Sequence, residues 1–516
     1  MSLHNAAGWL VDRHVNEGRG DRVAVRCEGV STTYKELLAE MWRVQRTLRQ
    51  LEVAEGDRVA LVINDELAFP AWFLGSQRSG VVPIPLSTML NGSELAPIIA
   101  DSGARTLVLS AAHRPALTEI LTGASEISNV VVIGDDKPCG DSGDVRVQEW
   151  GSFTETGEMP IAATTEDSAA FWLYSSGTTG MPKGVIHAHG NPRATVDTYA
   201  TNVLEITEDD RFLSIAKLFF AYGLGNSLTF PFSVGATAIL DPRPAAPATT
   251  LELIAAERPT LFFASPGFVA ALLDVNAPAD AFSTVRATIT AGESLPANVQ
   301  TRFAELTGRP VLDGIGSTEL LHIFISNTLD EQTPGSSGRI VPGYVAEIRD
   351  QNDQVITETD TPGYLHVKGP TAATGYWQRD EATAAAFRYG WVRTGDVYTR
   401  SADDHWTFLG RNNDMIKAGG IWVSPAEVES VLIEHPDVLE AAVVGSRNDV
   451  GLETIVAFII PASGSQPDTD ALQQHCRDRM ASFKRPREII VVDELPKTAT
   501  GKIKRFALRN SPTNDG

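Results

Sequence analysis

The stretch Tyr174-Ser-Ser-Gly-Thr-Thr-Gly-Met-Pro-Lys-Gly184 directly follows the apolar run Ala170–Tyr174, so it is expected to leave the end of a strand. Gly177 and Gly180 let the backbone close around an anion. Ser175, Ser176, Thr178 and Thr179 offer four hydroxyl donors, and Lys183 adds a positive charge. Together these suit a polyphosphate. The stretch is not a Walker A loop, which needs G-x-x-x-x-G-K-[ST]. Counted from Gly177, Pro182 stands where the second glycine belongs, and Gly184 follows Lys183 where Ser or Thr should be. The usual P-loop magnesium ligand is therefore missing. A kinase or GTPase of that class is disfavoured, and a metal needs a carboxylate from elsewhere in the chain.

On either side of this loop, short apolar runs recur at Val59–Ile63, Val130–Ile133, Thr260–Ala264 and Val285–Thr290. Helix-like stretches such as Tyr34–Leu51 and Ala297–Leu306 lie between them. Near-continuous apolar runs are what strands buried on both faces look like. Their alternation with helices predicts an α/β protein with mostly parallel sheets. At 516 residues the chain is long enough for more than one domain. Its 43% hydrophobic and 21% charged content exclude global disorder, coiled coil and collagen. A net charge of −22 argues against a nucleic-acid binder.

Cys27, Cys139 and Cys476 are far apart and form no CxxC pair, so reduced thiols in a cytoplasmic protein are expected. The N-terminus is charged early and lacks a signal-peptide apolar core. Leu218–Leu240 is 23 residues without a charge, long enough to span a bilayer. It also contains Gly223, Gly225, Pro231 and Gly235, so a buried strand–turn–helix segment is expected there instead of a membrane span.

The end of the chain differs from the rest. Arg477–Arg509 holds ten Lys/Arg against four Asp/Glu, a locally basic patch on an acidic protein that points to an anionic ligand. The polar run Gly410-Arg411-Asn412-Asn413-Asp414 reads as a hinge. The expected division is a large N-terminal α/β domain over 1–410, a hinge at 411–414 with Asn413 at its centre, and a small mobile α+β domain over 415–516.

The glycine-rich stretch resembles the signature loop of the adenylate-forming superfamily, which comprises acyl- and aryl-CoA synthetases, peptide-synthetase adenylation domains and luciferases. Further motifs follow in the family's order. Ala291-Gly-Glu-Ser-Leu-Pro296 is similar to the adenine-side loop, and Asp313-Gly-Ile-Gly-Ser-Thr-Glu319 to the aromatic-Gly-x-Thr-Glu motif. Arg393-Thr-Gly-Asp396 and Gly410–Lys417 resemble the ribose and hinge motifs, and Pro496–Lys502 the catalytic-lysine motif.

The resemblance implies a two-step reaction. A carboxylate attacks the α-phosphate of ATP to give an acyl-adenylate and pyrophosphate, and a thiolate then displaces AMP. Two anions meet in the first step, so positive charge has to screen them. Lys502 is implied to bridge the acid and the α-phosphate, Thr318 to hydrogen-bond that phosphate, and Glu319 to hold Mg²⁺. Asp396 and Arg411 are implied at the ribose. Gly292, Glu293, Asp313, Gly314 and Ile315 are implied around the adenine. Lys417 is implied in thioester formation, where Gly419 and Gly420 let a pantetheine arm pass and the basic stretch from Arg477 suits CoA phosphates.

Three departures from the family stand out: Ile315 in place of an adenine-stacking aromatic, Asn413 where Asp or Lys is common, and Phe220 where several relatives have His. Within the superfamily, Phe220–Asn226 and Gly314–Ile323 look closest to benzoate-CoA ligases. That match implies an acid pocket of Phe220, Ala221, Tyr222, Gly223, Gly316, His322 and Ile323, in which Gly316 leaves room for a ring and His322 offers one polar contact. His322 can also be read as a core histidine.

The expected activity is therefore an ATP-dependent, AMP-forming aryl-CoA ligase acting on benzoate or a hydroxy-, amino-, halo- or bicyclic analogue. The expected enzyme is a monomer or homodimer with no nucleic-acid or membrane partner. Two alternatives stay open: a stand-alone adenylation enzyme that loads a carrier-protein thiol, and a nucleotide-binding protein without catalysis. Lys183, Glu319, Asp396 and Lys502 count against the second.

Overall fold

The computed structural model describes residues 3–134, 144–175, 181–275, 277–412, 414–418, 421–447, 453–497 and 503–509. The apolar runs form strands, as their composition predicts: Arg58–Val62, Asn129–Ile133, Ala169–Ser175, Leu261–Ala264 and Ala287–Thr290. The first two belong to an all-parallel five-stranded sheet, ordered Val82–Pro85, Arg58–Val62, Thr106–Ser110, Asn129–Ile133, Arg146–Glu149. The next-to-last and last belong to a nine-stranded sheet whose centre is parallel and whose far edge, from Val311–Gly316 through Ile323–Ser326 to Arg339–Ile340, turns antiparallel. The helix Tyr34–Gln50 starts at a capping box, in which Thr33 and Glu36 satisfy each other's backbone N–H groups. Its apolar face, with Leu37, Met41 and Leu48, packs into the core beside Phe69, Trp72 and Phe73.

The strand Ala169–Ser175 is not part of either parallel sheet. It pairs antiparallel with Lys183–Ala188, which in turn pairs with Gly375–Tyr376. The glycine-rich stretch thus joins two paired strands, and the described residues after it run into a strand and not a helix. The segment expected as strand–turn–helix has the reverse order. It is helical turns over Ala221–Leu224, Gly225–Thr229 and Phe230–Val234, followed by the strand Thr237–Leu240. Gly235, at φ +80°, ends the helical part in a left-handed turn that a side chain would resist. Among the described residues, no helix is long and apolar enough to cross a membrane.

An antiparallel sheet of Val345–Arg349, Gly363–Lys368, Trp391–Arg400 and Trp406–Arg411 follows. Beyond it the chain forms a smaller unit. The strands Val438–Arg447, Glu453–Pro461 and Glu488–Val491 pack with the helices Pro425–Ile433 and Thr469–Arg479 over a core of Val428, Leu432, Val443, Ala457, Leu472 and Cys476. Cys27 and Cys476 are buried free thiols, and Cys139 lies outside the described residues.

Candidate active site

The hairpin register sets Ser175 opposite Lys183 at the mouth of the glycine-rich connection. Ser176, Gly177, Thr178, Thr179 and Gly180 themselves lie outside the described residues. Lys183 extends its ammonium over the ring of Tyr376, 4.9 Å from the centroid. The Tyr376 hydroxyl donates to Glu319 Oε1 at 2.9 Å. Lys183, Tyr376 and Glu319 therefore form one line from the loop to the only acid of the Gly-x-Thr-Glu motif. Sequence reasoning did not find Tyr376. It stands in Gly375-Tyr376-Trp377, far from Glu319 in the chain, and no spacing signal ties the two together.

Thr318 and Glu319 sit on a single 3₁₀ turn, Thr318–Leu320. Its backbone is held from two sides: His187 Nε2 donates to the Thr318 carbonyl at 2.9 Å, and the Ala373 N–H donates to the Glu319 carbonyl at 2.8 Å. His187 is fully buried, and that burial pulls its pKa down to about 4, so it acts as a neutral donor. Among the described residues, no group of three or more His, Cys, Asp or Glu gathers as a metal cage. Glu319 supplies a single carboxylate, which is the donor set Mg²⁺ uses when substrate phosphates and water complete its shell.

The two residues expected at the ribose form an ion pair. Asp396 and Arg411 face each other in strand register, with Nε and Oδ1 3.0 Å apart, and Asp396 is 2% exposed. Arg411 also donates to the Thr394 carbonyl at 3.1 Å. Asp313 stands on the strand Val311–Gly316. It is buried and accepts from the Thr290 hydroxyl at 2.9 Å, and desolvation pushes its pKa up to about 8, so its carboxyl is mostly neutral at pH 7. Gly314 and Ile315 lie on the same strand, paired with Ser326 and Ile325. Gly292, at φ +98°, has no heavy atom within 4 Å of where a side chain would start.

Phe220 precedes the helical turn Ala221–Leu224 and stacks edge-on with Phe219 at 4.3 Å. Tyr222 donates its hydroxyl to the Ile289 carbonyl at 3.0 Å. His322 is 2% exposed, and its ring lies among Tyr199, Tyr222 and Phe230, with centroids at 5.4, 5.4 and 4.6 Å. Its Nε2 bonds Asn226 Oδ1 at 3.1 Å, and burial holds its pKa near 3. It is a neutral histidine bonded to an amide side chain, and Asn226 is a partner that sequence reasoning did not single out.

The expected role of Gly316 as open space needs correction. A Cβ there would lie 2.6 Å from the His322 carbonyl oxygen, and one at Gly223 would lie 2.0 Å from that of Lys217. Both glycines are required because backbone passes against backbone. Ala221, Tyr222, His322 and Ile323, also expected at the acid pocket, are all uncharged, and His322 and Ile323 are buried.

A cleft of about 730 Å³ separates the large and small units. Tyr174, Phe219, Phe220, Gly292, Glu293 and Arg411 line it on one side, and Asp414, Glu429, Arg505 and Phe506 on the other. Part of the basic tail is paired with nearby carboxylates. Arg509 pairs with Asp414 at 2.8 Å, Arg505 with Glu429 at 2.7 Å, Lys497 with Glu440 at 2.8 Å and Lys484 with Glu427 at 2.5 Å. The expectation of a free anion-binding patch is corrected to that extent. Lys417 lies on the strand Ile416–Ala418, opposite Trp422. Asn413, Gly419, Gly420 and Lys502 lie outside the described residues. The bridge between Lys497 and Ile503 brackets the segment that contains Lys502.

The AMP-binding enzyme family matches residues 11–377, and the AMP-binding enzyme C-terminal domain matches residues 427–502. The chain is 40% identical over 514 residues to the benzoate–CoA ligase of Thauera aromatica, covering 98% of this chain and 96% of that one. A crystal structure of a benzoate CoA ligase from Burkholderia xenovorans LB400 superposes with a TM-score of 0.90 at 39% identity, covering 98% of this chain and all of that one (100%). The structure of an anthranilate CoA ligase in complex with anthranoyl-AMP superposes with a TM-score of 0.93 at 35% identity, covering 99% of this chain and 97% of that one.

Proposed function

The chain belongs to the AMP-binding enzyme family, and from that premise we propose that it is an AMP-forming aryl-CoA ligase. It activates benzoate or a substituted benzoate as the aryl-adenylate and passes the aryl group to CoA. The observation that carries this reading is the single segment Val311–Ile323. It carries Thr318 and Glu319, read as facing the nucleotide, on one 3₁₀ turn, and a few residues on His322, whose ring meets Tyr199, Tyr222 and Phe230 in an uncharged aromatic cluster read as the acid side.

In this reading the hairpin connection from Ser175 to Lys183 wraps the β- and γ-phosphates, with Lys183 held at one end by Tyr376. Asp396 and Arg411 take the ribose, and the Gly292–Glu293 turn flanks the adenine. Glu319 holds Mg²⁺, which when bound offsets phosphate charge. Lys502 screens the meeting of carboxylate and α-phosphate. That charge is realised in the transition state, where it accelerates the step most. Lys417 serves the thiol-transfer half. The division at residues 411–414, a cytoplasmic location and a monomeric or dimeric state belong to the same reading.

Incubation with ATP, Mg²⁺ and CoA across acetate, hexanoate, benzoate, hydroxy- and aminobenzoates and a naphthoate, with AMP and thioester measured, tests it. Highest kcat/KM for a benzoate is expected; highest kcat/KM for acetate or a long-chain acid defeats the aryl assignment. Adenylate formed without any thioester from CoA would favour a carrier-protein thiol as acceptor.

A further inference from the structure

One carboxylate outside the residues assigned to the reactants joins three elements that converge on the phosphate loop. Asp101 lies in the last turn of the helix Gly92–Ser102. Its Oδ2 accepts from the Tyr174 hydroxyl at 2.8 Å, and its Oδ1 pairs with Arg379 Nη2 at 2.5 Å. Its backbone carbonyl accepts from Trp377 Nε1 at 3.1 Å. Tyr174 is the residue before Ser175, where the loop begins. Trp377 directly follows the strand Gly375–Tyr376, whose tyrosine reaches Glu319, and Arg379 stands two residues further on.

The far side of the loop is drawn into the same arrangement. The Trp377 N–H donates to the Gly184 carbonyl at 2.8 Å. A Cβ at Gly184 would sit 3.2 Å from the Tyr174 ring, so that ring already lies against the strand leaving the loop. The rings of Trp172 and Trp377 meet at 4.5 Å beneath it. The Asp101 side chain is 13% exposed, so its bonds to Tyr174 and Arg379 are shielded from competing water.

We propose that Asp101 is a positioning residue of the nucleotide site, clamping Tyr174 at the start of the phosphate loop and Arg379 beyond the strand that carries Tyr376. The loop mouth and the Tyr376–Glu319 line are then held in one geometry by a helix of the neighbouring five-stranded layer. The proposal rests on reading residues 175–183 as the ATP loop and is independent of which acid is activated. Tyr222 and His322, read as acid-side residues, have their own anchors, Ile289 and Asn226, so acid binding is separate from this clamp.

The test is calorimetric titration of the full chain with MgATP in the absence of any acid, together with pyrophosphate exchange in the presence of benzoate. Asp101→Ala is expected to weaken MgATP binding, and to raise KM for ATP, by about tenfold or more, while KM for benzoate changes less than about twofold. Asp101→Asn keeps an acceptor for Tyr174 but loses the ion pair, so an intermediate rise of roughly threefold is expected. Asp101→Ala and Arg379→Ala should be non-additive for ATP.

Folded Asp101→Ala and Asp101→Asn proteins that bind MgATP as wild type does overturn the proposal. So does a variant in which both KM values rise together. If Asp101→Ala does not fold, the Asp101→Asn titration decides in the same way. Wild-type protein that fails to bind MgATP overturns this proposal and the ATP reading together. Wild-type protein that binds MgATP but activates no aryl acid defeats only the substrate reading, and the binding comparison still decides the role of Asp101.

Discussion

Tyr376 donates its hydroxyl proton to Glu319 at 2.9 Å, while the face of the same ring receives the ammonium of Lys183. One side chain thus orients both the carboxylate assigned to Mg²⁺ and the cation at the end of the phosphate loop. Tyr376→Phe keeps the ring contact and removes the hydrogen bond to a charged acceptor, an interaction worth about 1.5–3 kcal/mol. KM for MgATP should rise about tenfold, and the Mg²⁺ concentration giving half-maximal rate should rise with it. Pyrophosphate exchange at varied Mg²⁺ checks this; an unchanged Mg²⁺ dependence would separate Glu319 from the metal.

His187 and His322 are buried neutral, with pKa values pulled to about 4 and about 3 by desolvation. The unfolded chain binds protons at these sites near pH 6.5, so below that pH unfolding takes up protons and stability falls. At pH 5 each should have lost about 2 kcal/mol relative to pH 8. Urea midpoints measured from pH 8 to pH 5 should decline. His322→Asn should flatten part of that slope even if it lowers the midpoint at pH 8.

Asp313 has the opposite sign. Its carboxyl is pushed up to about 8 by burial, so the folded state holds a proton that the unfolded chain releases near pH 4. Its contribution to stability therefore declines as pH rises from about 4 to about 8 and levels off above that. Asp313→Asn, which mimics the neutral form, should be nearly neutral at pH 4 and increasingly more stable than wild type toward pH 9. Urea midpoints of the two proteins at pH 4, 7 and 9 check the widening gap.

Gly316→Ala would place a methyl group 2.6 Å from the His322 carbonyl oxygen. The two paired strands must part, at a cost of about 1–3 kcal/mol, and His322 and Ile323 move with them. A lower melting temperature and a higher KM for benzoate should appear together. A stable variant with unchanged kinetics would refute the close approach.

Lys502→Ala should lose aryl-adenylate formation by roughly 10²–10⁴-fold, since it removes charge that acts in the transition state. It should still convert supplied aryl-adenylate and CoA to thioester. Lys417→Ala should show the reverse bias. Rapid-quench measurement of each half-reaction distinguishes them, and equal loss of both halves in either variant would reject the assignment.

The parts legible in the sequence were those written in contiguous residues. The buried strands announced themselves as Val- and Ile-rich runs, the helix at Tyr34 showed as a helix-like stretch, and the strand that leads into the glycine-rich stretch showed as the apolar run before it. What could not be read was set by tertiary approach. Asp101 meets Tyr174 and Arg379, and Tyr376 meets Glu319, only after separate sheets have packed. Gly316 looked like room for a substrate ring because sequence shows a missing side chain but not the direction in which it would have pointed. Leu218–Leu240 was misordered because its apolar run has no period to choose between helix and strand, and the breaker that decides it, Gly235, lies near its end.

Arg411 is anchored backward, to Asp396 and the Thr394 carbonyl, and Asp414 is anchored forward, to Arg509. The frame of reference of the chain thus changes across an interval of three peptide units. A swivel of the small unit would leave both ion pairs intact and concentrate its torsion in those links. It would break the backbone bonds from the Asp414 and Met415 N–H groups to the Arg411 carbonyl, at 2.9 and 3.0 Å, and the contacts of Asn298 with Ile433 and of Asp274 with Ser463. Two orientations would differ in which of these bonds they hold, with the bond from the Ser424 hydroxyl to the Leu409 carbonyl also at stake. The ligand in the cleft would then select between them.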